Sequence, residues 1–172
     1  MNDTSMSLRD LMLEDLARGL AMVRDGHEIV PTWRIITPEG DFQVLTPFDP
    51  DKPEQRERML RLIPLFMAWK MAMAYVLITD TWLGPEQTRS GEEAVLAIGV
   101  SRTERMGVLR RIRRTPGLVL MSPEWLRADS IDDNYFRLLP SGRITIAITD
   151  EQATMLARLF GEDGELPAQR LS

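Results

Sequence analysis

Apolar residues at positions 8, 11, 12, 16, 20 and 23 recur at spacings of three and four, which puts them on one stripe and predicts an N-terminal helix. Ser7 stands where an N-cap belongs, Asp10 follows three residues on, and Gly26 supplies the stop. The period then shortens. In TWRIITPEGDFQVLTPF two β-rich runs flank Pro38-Glu39-Gly40-Asp41, the pattern of a hairpin. A stiff polar connection, PFDPDKP (47–53), leads to a second helix starting at Pro53, where the missing N–H costs nothing. That helix reads PEQRERMLRLIPLFMAWKMA: polar in its first turns and apolar on nearly every side after Met59, so it belongs at the centre of the fold. Pro64 should kink or split it, because the ring removes a hydrogen bond and crowds the preceding turn. Met59, Met67, Met71 and Met73 are read as adaptable core fillers.

From Tyr75 the pattern turns to strands. YVLIT ends at Asp80, the loop TWLGPEQTRSG follows, and AVLAIGV is a continuous apolar strand. The next stretch, RTERMGVLRRIRRTPG (102–117), admits two readings. Ser101 and Glu104 fit a capping box, and Met106, Leu109 and Ile112 keep helical spacing. A hairpin from AVLAIGV into VLRRIRR fits as well and is preferred, because LVLM returns as a strand soon after the Pro116-Gly117 turn. Beyond it lie the acidic loop RADSIDDN, a hairpin YFRLL-PSGR-ITIAI around Ser141-Gly142, and a last helix capped by Thr149 and Gln152 and running through Phe160. Residues 1–161 are therefore expected to form a single domain and 162–172 a disordered tail. The order of elements predicts an α+β fold: a mostly antiparallel sheet, an N-terminal helix, a central apolar helix packed on one face, and a short C-terminal helix.

Composition narrows the chemistry. At 172 residues, 44% hydrophobic and 27% charged, the chain has the make-up of a globular protein rather than a disordered one. It has no cysteine, which removes disulfides, thiolate metal sites and thiol catalysis, and its only histidine is His27. The 62–79 stretch approaches the length of a membrane span, but Lys70 at its centre costs about 2.5–3.5 kcal/mol on insertion, so no membrane partner is expected. MNDTSMSLRD lacks a basic region followed by an apolar one, which predicts a cytoplasmic location.

Phosphate-cradling glycine motifs and the GxSxG nucleophile elbow are both absent, so no cofactor is expected. Asp80 is the one catalytic candidate. An acid ending an apolar strand beside Thr79, Thr81 and Trp82 can have a raised pKa, with His27 or the pair Glu92-Glu93 as partners; the alternative is an ordinary turn cap. Asp129, Asp132 and Asp133 lack the glycine and spacing of a calcium loop, so no metal is expected. Arg102, Arg105, Arg110, Arg111, Arg113 and Arg114 form the candidate interaction segment. With 102–117 contributing +5 to a chain of net charge −5, the remainder stands at −10, so acidic partners abound within the protein or on a second copy. A strand would divide these arginines between two faces, and the nearest aromatic is Trp125, which disfavours a nucleic-acid grip.

PTWRIITPEG (31–40), AYVLITDTWLG (74–84) and EEAVLAIGVSR (92–102) resemble segments of small uncharacterised α/β proteins of proteobacteria and their phages. That resemblance carries no assigned activity and no functional residue. The leading expectation is a small non-enzymatic interaction or accessory protein that self-associates or binds a protein partner. A nucleic-acid-associated regulator using 102–114 and a small hydrolase-like enzyme centred on Asp80 are the alternatives.

Overall fold

The computed structural model describes residues 6–47, 52–83, 92–139 and 147–171. Three helices lie among them, α1 (Leu8–Arg24), α2 (Pro53–Trp69) and α3 (Asp150–Leu159). The strands are β1 (Thr32–Thr37), β2 (Gly40–Leu45), β3 (Ala74–Leu83), β4 (Glu92–Ser101), β5 (Arg105–Arg113), β6 (Val119–Leu120), β7 (Glu124–Leu126) and β8 (Ala168–Arg170). They form one antiparallel sheet in the order β6-β5-β4-β3-β1-β2-β8, with β7 also pairing β5. This is the expected α+β class with the expected N-terminal and short C-terminal helices.

The helices divide between the two faces of the sheet. Leu8, Met12, Leu16, Leu20 and Val23 of α1 pack on Val76, Ile78, Val95, Ala97 and Val108. On the other face, Met59, Ile63, Phe66 and Met67 of α2 and Leu156 of α3 pack on Trp33, Ile35, Tyr75, Leu77 and Ile98. Because successive side chains alternate, β3 and β4 feed both cores, which is why YVLIT and AVLAIGV read as unbroken apolar runs. Each such side chain, fully buried, contributes about 1.5–3 kcal/mol. At Gly99 an added Cβ would stand 2.3 Å from the Met12 sulfur, so the bare backbone lets α1 approach this closely.

Local signals explain the ends of the elements. The Asp10 N–H donates to Ser7 Oγ (3.2 Å) and the Ser7 N–H to Asp10 Oδ2 (3.3 Å), closing a capping box on α1. The helix stops at Gly26, whose φ of +80° lets the His27 N–H reach the Met22 carbonyl at 2.9 Å. Thr37 pairs with Gly40 across a two-residue turn, the predicted first hairpin. Thr149 and Gln152 close the second capping box, on α3. The arginine-rich stretch is the strand of a hairpin, β4 to β5, and not a helix.

Several expectations are corrected. Pro64 does not split α2, which continues to Trp69. Met59 and Met67 are core fillers, but Met71 and Met73 lie in the connection to β3 and are exposed. β3 continues three residues past Asp80, so that acid does not end the strand. Residues 135–139 are not a strand: Asp132 caps a 3₁₀ turn at Asp133–Tyr135, and Phe136 and Leu138 drop into the core. The Tyr75 hydroxyl donates to the Tyr135 carbonyl and pins this segment to the sheet. The remainder of that expected hairpin, including Ser141-Gly142, lies outside the described residues. The expected tail folds back instead. β8 pairs with β2, Leu166 and Ala168 pack against the core, and Glu165 forms an ion pair with Arg58. Finally, the 62–79 stretch is the second half of α2 followed by β3, and no helix among the described residues is long and apolar enough to cross a membrane.

Candidate functional site

The arginine segment is tied into its own sheet. β5 lies between β4 on one side and β6 and β7 on the other, so it is not a bare edge. Arg111 Nε donates to Glu124 Oε2 at 2.7 Å while its Nη1 pairs with Glu92. Arg114 grips Glu93 with two bonds of 2.7 Å each, the fork geometry that suits a guanidinium. Arg110 Nε donates to the Met121 carbonyl (2.7 Å) and so holds the β6 side of the sheet. Arg102, Arg105 and Arg113 are exposed and make no ion pair among the described residues. By alternation Arg105, Arg111 and Arg113 share one face of β5, and Arg110 lies on the other with Val108 and Ile112.

Beside these arginines runs an apolar edge. Leu118, Val119, Met121 and Trp125 are all markedly exposed. Val119 pairs with Arg113 in register, and Trp125 with Val108. The Arg9 guanidinium of α1 stands 4.4 Å over the Trp125 ring, a cation–π contact that fixes one side of the indole. Sequence reasoning saw LVLM as a strand and missed its exposure, because a short apolar run looks the same whether it lies inside a sheet or at its rim.

Asp80 and Glu93 lie diagonally on one face of the β3–β4 pair, since Asp80 stands opposite Val95 and Trp82 opposite Glu93. Asp80 is exposed and pairs in register with Val95. The carboxylates proposed beside it, Glu92 and Glu93, are held by Arg111 and Arg114, and His27 is exposed at the end of α1. Asp129, Asp132 and Asp133 each face an arginine: Arg127 at 2.9 Å, Arg56 at 3.5 Å, and Arg137.

A buried charge cluster was not foreseen. Asp15, only 7% exposed, sits on the sheet-facing side of α1 opposite Arg34 of β1. Asp15 Oδ1 accepts from Arg34 Nη1 at 3.0 Å and lies 3.3 Å from Arg18 Nη1. Arg34 also donates to Glu14 Oε2 (3.2 Å) and to Asp41 Oδ2 (2.9 Å), bridging α1, β1 and β2. Asp15 Oδ2 is buried and accepts no hydrogen bond among the described residues. Burial pushes the Asp15 carboxyl above its ordinary range against the pull of Arg34 and Arg18, whereas the hydrogen bond from Arg34 holds half-buried Glu14 below its own. One signal was legible: Asp15 falls inside the apolar stripe, four residues after Leu11 and one before Leu16, where a solvated acid has no place.

Comparison of the chain with protein-family models, with curated proteins and with solved structures returns no match.

Proposed function

We propose that this chain is a cytoplasmic, non-enzymatic interaction protein that self-associates through the sheet edge built by β6 and β7. One observation carries the reading: four of the eleven large apolar side chains most exposed among the described residues fall within residues 118–125. Single exposed apolar residues need no explanation, but four within one short stretch along the rim of a sheet point to an association edge. Edge strands also present backbone N–H and C=O groups that another strand can pair. Charge favours a second copy as the partner, since Arg113 stands beside Val119 while the chain as a whole carries −5. The engagement of Arg110, Arg111 and Arg114 within the fold weighs against nucleic acid as the ligand, and the exposure of Asp80 weighs against a hydrolase.

Light scattering over a wide concentration range tests the proposal. The expected result is a mass that rises above that of one chain, stays at one chain for the Val119→Lys/Trp125→Lys double variant, and is unchanged by Met155→Lys on α3. A strictly monomeric wild type overturns it. Binding to mixed DNA that weakens steeply between about 50 and 200 mM salt, with no self-association, would favour the nucleic-acid reading instead.

A further inference from the structure

α1 and the sheet leave a gap beside the Asp15 cluster. A cavity of about 70 Å³ lies there and opens to solvent. Gly19 and Met22 of α1, Ile29 and Val30 of the segment after it, Ile78 of β3, and Leu171 form the apolar walls. Asp15 and Arg34 line the same cleft. Apolar walls with a few converging polar groups are the usual make-up of a small-molecule site.

We infer that this cleft binds a small, uncharged molecule with a compact apolar body and one N–H or O–H group that donates to Asp15 Oδ2. The first ground is the oxygen itself: a buried carboxylate oxygen without a donor is rare, and here it belongs to a residue lining a cavity. The second is charge. A carboxylate ligand would meet Asp15, with Glu14 and Asp41 held close by Arg34, and an ammonium ligand would meet the guanidiniums that already take Oδ1. A neutral donor avoids both repulsions and supplies the missing bond. The third is size. In a cavity of about 70 Å³, where one water needs about 10–15 Å³, there is room for a head group and several carbons.

Isobutyramide, isobutyrate and isobutylamine are matched probes for this claim, titrated into the full chain and followed by amide chemical shifts in NMR. Saturable shifts at Gly19, Thr32 and Gln43 are expected for the amide, with binding about tenfold weaker for either ion, the worth of one hydrogen bond. Asp15→Asn should weaken amide binding by about the same factor. Met22→Trp, which fills the mouth from its exposed side, should abolish binding while leaving Asp15 in place. No saturable shift with the amide, or binding unchanged in Met22→Trp, overturns the inference and leaves the cleft to water. If Asp15→Asn fails to fold, Met22→Trp and the comparison of the three probes still decide it.

Discussion

Asp15 shows how one side chain sets a pH dependence for the whole fold. Its ordinary pKa is 3.8, and burial raises it in the native state, with Arg34 and Arg18 opposing. The native protein therefore holds this proton more tightly than the unfolded chain does. Its contribution to stability is complete below pH 3.8 and is lost as pH rises through the folded value. Half-buried Glu14, lowered by Arg34, has the opposite sign, so the raw acid limb of the wild type mixes the two. The difference between wild type and Asp15→Asn isolates the first. Urea midpoints measured across the acid range should show wild type gaining on the variant as pH falls, and a difference that shrinks on acidification would contradict the burial of Asp15. Legibility at this scale was partial. The misplaced acid on the α1 stripe was visible, but Arg34 as its partner depends on α1 packing over β1, a contact between residues 19 positions apart. Of the arginines of 102–114, Arg111 and Arg114 find acids within the chain, and which acids they meet follows only from the register of β4, β5 and β7.

At the scale of elements, two helix ends built on the same motif carry opposite residues. α1 ends with Gly26 at φ +80°, and α2 ends with Met71 at φ +53°. At α2 the Ala72 N–H donates to the Met67 carbonyl (2.8 Å) and the Met71 N–H to that of Ala68 (3.2 Å), the same pair of bonds that Gly26 and His27 make at α1. A left-handed backbone strains any side chain bearing a Cβ, and Met71, 64% exposed, recovers little by packing. Met71→Gly should therefore stabilise the protein by about 0.5–1 kcal/mol, after allowing for the greater freedom of glycine in the unfolded chain. Gly26→Ala should destabilise it by about 1 kcal/mol through backbone strain alone, since nothing lies within 4 Å of the added carbon. Thermal or urea unfolding of the two variants checks both signs. Caps and hairpins were readable because they depend on residues close in sequence: Ser7 with Asp10, Thr149 with Gln152, and the turn at Pro38-Glu39. The strand expected at 135–139 failed for the converse reason. Phe136 and Leu138 have the alternation of a strand, but the Tyr75 hydroxyl and the 3₁₀ turn before them fix a different path.

The whole molecule depends on its C-terminal segment more than its polar sequence implied. GEDGELPAQRLS has the composition of a tail, yet residues 166–171 close the β2 side of the sheet. Leu166 and Ala168 pack on the α2 and α3 core, β8 pairs with β2, and the Leu171 N–H donates to the Asp41 carbonyl at 2.8 Å. The signal was a handful of apolar residues too few to show a period, and only the prior formation of the β1–β2 hairpin gives them an edge to join. The same logic explains why both faces of the sheet are covered. The order of elements predicts helices covering one face, whereas the continuous apolar strands feed two cores, and which helix takes which face is a matter of chain path and not of pattern. Deleting residues 162–172 should therefore cost about 2 kcal/mol or more from lost apolar burial and strand pairing, read as a lower urea midpoint. It should also bare β2, a six-residue strand and far longer than β6 or β7, as a new pairing edge. Combined with Val119→Lys/Trp125→Lys, the truncation separates two modes of association at opposite ends of one sheet. The charged pair should abolish the native mode, and the truncated chain should still self-associate through β2. An unchanged midpoint with no new association would mean that β8 adds nothing to the fold, and the chain would then end functionally at α3.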